Sequence, residues 1–209
     1  MFKLNVIFFP ICLGACVTMV LLAIDIFGAS NIKTYTFITH ISLFVVTIYY
    51  FLCTLMVWAN IPFTLIEKFY KVSFSLSFFV GAMYWIMSFV DPNSLNEPQY
   101  RKPFYFDFFV HGGTFLILFL EHFIWHKHIF TIKCHYVFHF FLALGLTAVV
   151  YVPWFLNGFA IYPFIKKYTP VEFVLLPIEC ILLIFIGIFI YTKFASTGAS
   201  NEESTNLLV

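Results

Sequence analysis

Charge is scarce in this chain. Only 10% of its 209 residues are Asp, Glu, Lys or Arg, where a soluble domain carries about 25%. It cannot cover itself with a surface that water accepts, which excludes an ordinary soluble fold. The few charges nearly cancel, to a net +1, which argues against nucleic acid as a partner. A redox or disulfide framework is missing as well. The five cysteines, Cys12, Cys16, Cys53, Cys134 and Cys180, are odd in number and form no Cys-x-x-Cys pair, so they read as small buried hydrophobes. The alternating segments of about 10 residues that mark transmembrane strands are also absent.

What the chain has in abundance is hydrocarbon. Hydrophobic residues make up 62% and aromatics 22%, with 31 phenylalanines, a side chain with no polar atom to satisfy in lipid. A spanning helix needs roughly 20 mostly apolar residues, and such stretches run over 5–27, 36–59, 72–90, 104–125, 135–155 and 172–194. Short turn-forming links separate them, such as Asp91-Pro92-Asn93-Ser94. The expected fold is all-α: a polytopic membrane helical bundle of about six transmembrane helices. It forms a single domain over 1–196, followed by a polar, disordered tail over 197–209. The first run exceeds the 7–15 residues of a signal-peptide core and is read as a span.

Basic residues divide almost evenly between the two sides. Lys3, Lys68, Lys71, Lys127, Lys133 and Lys193 share the side of the termini, and Lys33, Arg101, Lys102, Lys166 and Lys167 take the other, so charge alone does not orient the chain. The run Glu203-Ser204-Thr205-Asn206-Leu207-Leu208 resembles an acidic dileucine sorting signal. It favours cytosolic termini in an endomembrane (endoplasmic reticulum or endosomal) or the plasma membrane.

Ionisable residues inside spans are costly and mark functional candidates. In the fourth span Asp107, His111, Thr114, Leu118, Glu121 and His122 recur at helical spacing and form one polar stripe. Gly112 and Gly113 beside it would admit a neighbouring helix or a ligand. Asp107 lies one turn before His111 and could fix its tautomer, leaving the other nitrogen as a base. The second span offers a broad face of Thr36, Thr39, His40, Thr47 and Thr54, and the sixth holds Glu179, two residues after Pro177. With six crossings these three spans enter from the same side. At 1.5 Å per residue, Thr39 then lies about 5 Å deep and His111 and Glu179 about 10 Å deep, in one leaflet.

Three collinear stretches carry a family likeness. They are Tyr35-Thr36-Phe37-Ile38-Thr39-His40-Ile41-Ser42-Leu43, His111-Gly112-Gly113-Thr114 followed by Glu121, and Gly158-Phe159-Ala160-Ile161-Tyr162-Pro163-Phe164. On these the sequence resembles the androgen-induced gene family, multi-pass membrane threonine hydrolases that cleave fatty acid esters of hydroxy fatty acids. The resemblance implies Thr39 as nucleophile and His111 as its base, with no cofactor and a lipid ester as partner within the bilayer. Asp107 is then a candidate orienting acid, and Gly112, Gly113, Thr114, Glu179 and Tyr162 are candidate pocket residues. Family members carry an acid three residues after the threonine, where this chain has Ser42.

Two rival readings stand beside this one. His122, His126, His135 and His139 form two His-x-x-x-His pairs that could chelate a metal from adjacent helix ends, as in a metal-dependent lipid enzyme. Asp107, His111 and Glu179 could instead serve as the relay of a proton-coupled carrier, although the two halves show no inverted repeat.

Overall fold

A segment buried in lipid must satisfy its backbone groups internally, which leaves the helix as the form for these apolar runs. The computed structural model describes residues 2–31, 37–61, 66–90 and 102–125, with isolated positions between 141 and 193. Among the described residues there is no strand. Helix α1 spans Phe2–Phe27, α2 Ile38–Trp58 and α3 Glu67–Val90. The fourth span is divided into α4 over Phe104–Phe108, a π-helical turn over Phe109–Gly113, and α5 over Thr114–Trp125. Among the described residues, four helical stretches are thus long and apolar enough to cross a membrane. The expected fifth and sixth spans lie largely outside the described residues. Their described positions are helical except Gly158, and Val149 packs against the core.

Helix ends follow local chemistry. At the end of α1, Gly28 turns left-handed at φ 84° while its N–H still reaches the Ile24 carbonyl, a conformation that a side chain would strain. At the end of α2, Asn60 takes φ 54°. Ile61 N–H then bonds Met56 O and Asn60 N–H bonds Val57 O, which closes the last carbonyls in a Schellman pattern.

Packing follows the 3.6-residue period. Phe9, Cys12, Cys16, Ala23 and Phe27 form the buried stripe of α1, and Leu43, Val46, Tyr49, Tyr50, Cys53 and Val57 that of α2. These two stripes face each other. Helix α3 is central, meeting α2 on one side and the π-turn and α5 on the other. Its serines make that possible: Ser73 and Ser75 return their hydroxyls to the Phe69 and Lys71 carbonyls, so small, self-satisfied side chains line the contact. The broad threonine face of the second span is partly spent in the same way, because Thr47 bonds Leu43 O and Thr54 bonds Tyr50 O.

Gly81 sets the spacing between α3 and the fourth span. A Cβ at this position would stand 2.8 Å from the His111 carbonyl oxygen, a backbone atom with no freedom to retreat. Gly→Ala inside a helix normally stabilises by up to about 1 kcal/mol. Here we expect the opposite sign: Gly81→Ala should cost roughly 1–3 kcal/mol through overpacking, read as a lower thermal midpoint of the purified protein in detergent.

Candidate functional site

Two tyrosines and a carboxylate join the helices at mid-bundle. Tyr49 of α2 donates its hydroxyl proton to the buried Glu121 carboxylate of α5, and Tyr70 of α3 donates to the Leu118 carbonyl at 2.7 Å. Nearer one end of the bundle, the His40 ring packs against Phe27 and Phe37 and approaches Phe106 of α4. The pairs His40–Phe106 and Tyr49–Glu121 make α2 and the fourth span run in the same direction. Thr39 and His111 therefore belong to the same end of the bundle.

Helix α3, running the other way, gives a finer level. Ser42 Oγ lies 3.4 Å from Ser77 Oγ. Thr39 is three residues before Ser42, about 4.5 Å along α2. Gly81, against the His111 carbonyl, is four residues after Ser77, about 6 Å along α3 in the same direction. Thr39 and His111 thus stand at one height to within a turn. Thr39 is half-buried in the first turn of α2, and by helical spacing it continues the buried stripe of Leu43, Val46 and Tyr50. No hydrogen bond joins it to His111 Nδ1, which has no partner among the described residues.

His111 is held from three sides. It sits within the π-turn, and such turns concentrate at functional sites. The Tyr84 ring of α3 stacks on the imidazole at 3.6 Å between centroids and 6° between planes, which fixes the plane of the ring. Asp107 Oδ1 stands 3.8 Å from His111 Nε2, within ion-pair range but beyond a hydrogen bond. Nε2 therefore faces the acid, and Nδ1 is the nitrogen left for chemistry.

Around this imidazole the glycine pair leaves room. The missing side chain of the half-buried Gly112 leaves a notch beside Trp85, whose Nε1 would lie 3.7 Å from a Cβ there. Gly113 is buried, and a Cβ on it would meet the Phe109 ring at 3.0 Å. Thr114 is buried one turn further in. Lys102, just before α4, carries its ammonium 5.4 Å from the centre of the Phe27 ring.

A family model described as FAR-17a/AIG1-like protein matches residues 4–196. The chain belongs to this family. This is the androgen-induced gene family to which the three motifs pointed, and the match covers Thr39, the His111-Gly112-Gly113-Thr114 run and Tyr162 together. Comparison with curated proteins and with solved structures returns no match.

Of the site residues expected from the sequence, Asp107, His111, Gly112, Gly113 and Thr114 occupy about two turns of the fourth span, at the height of Thr39 to within a turn. Glu179 and Tyr162 lie outside the described residues, as do His126, His135 and His139 of the expected metal cluster. His122 is described and is buried inside the bundle. Sequence reasoning missed Tyr84, Gly81 and the π-turn. The Gly112-Gly113 pair was the one local sign of the turn, whereas the partners on α3 had no sign in their own sequence.

Removing the Tyr49 hydroxyl tests the mid-bundle lock. Tyr49→Phe deprives the buried Glu121 carboxylate of a donor, and we expect a loss of about 1–3 kcal/mol, measured as the thermal midpoint against the unsubstituted protein.

Proposed function

We propose that this chain hydrolyses lipid esters within the bilayer, with Thr39 as nucleophile and His111 as its base, and that fatty acid esters of hydroxy fatty acids are its substrates. The setting of His111 carries the reading. It is an imidazole inside a membrane bundle, at the height of Thr39, clamped by Tyr84, with one nitrogen turned to Asp107 and the other unbonded among the described residues. Membership of the FAR-17a/AIG1-like family supports a membrane hydrolase.

An alcohol is a poor nucleophile at its free pKa and needs an adjacent base. His111 Nδ1 takes the Thr39 proton as the Thr39 oxygen bonds to the ester carbonyl carbon. Asp107, beside Nε2, orients the ring and favours the imidazolium that forms. The tetrahedral intermediate then collapses, the leaving alkoxide takes the proton from Nδ1, and a hydroxy acid departs. Water attacks the threonyl ester by the same route, giving its proton to His111, which returns one to Thr39 as the fatty acid leaves.

The surroundings suit such a substrate. The notch at Gly112 opens beside Trp85, which is 41% exposed, so an acyl chain can enter sideways from lipid. Lys102, over the Phe27 ring, would supply the cation for the free carboxylate of a hydroxy fatty acid ester. In this reading the chain is one membrane domain over 1–196 with about six crossings and cytosolic termini, and it requires no cofactor.

Hydrolysis of a fatty acid ester of a hydroxy fatty acid by the purified protein should disappear in both Thr39→Ala and His111→Ala. Asp107→Asn should lower kcat by about 10- to 100-fold, less than a bonded triad acid would, because the contact is long. Normal turnover by Thr39→Ala would end the reading, and an undiminished Asp107→Asn would reduce the triad to a dyad.

A further inference from the structure

The intermediate just described places a negative charge on the former carbonyl oxygen, and that oxyanion needs a donor. Serine and threonine hydroxyls on these helices are ordinarily spent. Thr18 bonds Gly14 O, Thr47 bonds Leu43 O, Thr54 bonds Tyr50 O, Ser73 bonds Phe69 O and Ser75 bonds Lys71 O, each four residues back and at 2.7–2.9 Å. Ser42 and Ser77 face each other. Thr114 breaks the pattern. It is 1% exposed, and its hydroxyl has no hydrogen-bond partner among the described residues.

The π-turn ends here. Thr114 N–H bonds the Phe109 carbonyl, five residues back rather than four. In this widened turn the Thr114 hydroxyl makes no back-bond to the Val110 carbonyl four residues before it. A buried hydroxyl left without a partner costs stability, and such a cost is tolerated where the group has other work.

Its position suits one task. Thr114, Leu118 and Glu121 share the buried face of the fourth span, and Glu121 on that face meets Tyr49 of α2. Thr39 continues the stripe of α2 that Tyr50 and Val46 occupy. The Thr114 hydroxyl therefore lies on the face turned to α2, one turn deeper than His111. A carbonyl attacked by Thr39 would direct its oxygen toward that depth while the leaving oxygen stays near His111.

We propose that Thr114 is a catalytic residue whose hydroxyl donates the hydrogen bond that stabilises the oxyanion, an inference that rests on the ester-hydrolase reading above. When Thr39 Oγ bonds to the carbonyl carbon, the C=O π pair moves onto oxygen and accepts the Thr114 proton in a hydrogen bond. When the pair returns, the bond to the leaving oxygen breaks, and Thr114 keeps its proton throughout.

The test compares Thr114→Val, which removes the hydroxyl at nearly constant shape, with Thr114→Ser, which keeps it. Both are assayed beside Thr39→Ala with a fatty acid ester of a hydroxy fatty acid. Thr114→Val should lower kcat by about 10²–10³-fold with little change in KM. Its thermal midpoint should hold or rise, because an unsatisfied buried hydroxyl is gone. Thr114→Ser should stay within about tenfold of the unsubstituted kcat. If Thr114→Val does not fold, Thr114→Ala serves as the second hydroxyl-free protein, and a kcat for it within about threefold of normal overturns the proposal; a folded Thr114→Val that loses thermal stability together with activity makes the hydroxyl structural and also overturns it. A Thr114→Val kcat within about threefold of normal, with Thr39→Ala inactive, overturns the role of Thr114 and leaves the hydrolase reading intact. A Thr114→Ser as inactive as Thr114→Val also overturns it. Normal turnover by Thr39→Ala removes the reading and this inference together.

Discussion

Where the His111 carbonyl rests on Gly81, two helices come closer than side chains would otherwise allow, and the rest of the site depends on that approach. A Cβ at residue 81 would stand 2.8 Å from the carbonyl oxygen. With the backbones in contact, Tyr84, three residues along α3, reaches the imidazole face to face. The same contact sits on the π-turn that separates Asp107 from Thr114. Membrane helices associate through such close packing, because lipid removes the hydrophobic drive between them. The missing Cβ at Gly81 thus allows the approach at which Tyr84 fixes the plane of the His111 ring.

The polar groups of the bundle divide into two sets. Tyr49, Glu121 and Tyr70 hold α2, α3 and α5 together at mid-bundle, each tyrosine with an identified acceptor. Asp107, His111 and Thr114, nearer the end, have polar atoms with no hydrogen-bond partner among the described residues. In a low-dielectric interior unsatisfied groups are expensive; three of them fall on the two turns around His111, and the Tyr50 hydroxyl at mid-bundle is another among the described residues. A helix whose polar stripe looked continuous in the sequence thus carries structure at one end and candidate chemistry at the other.

The spans were legible because hydropathy measures what lipid demands of a long segment. The four described ones appear within a few residues of the expected places, although α3 starts at Glu67, five residues before the expected span, and takes the buried Lys71 into the helix. The polar stripe from His111 to His122 was legible for the same reason: helical periodicity alone puts those side chains on one face. The π-turn was not, because a glycine pair permits such a turn without requiring it. Nor was the use of Thr47 and Thr54, whose hydroxyls satisfy their own helix, distinguishable from Thr39 by residue type. Tyr84 and Gly81 act only through contacts across helices, which a one-dimensional pattern does not record.

We propose that Thr39 becomes acylated with His111, at the same height of the bundle, as its base. The most direct measurement is mass-spectrometric mapping of the covalent adduct formed when the intact protein in membranes meets an ester-mimicking fluorophosphonate. The account predicts an adduct on the peptide carrying Thr39, at the Thr39 oxygen, and its loss in His111→Ala. An adduct on another residue, or one on Thr39 that forms equally well without the imidazole, would contradict it.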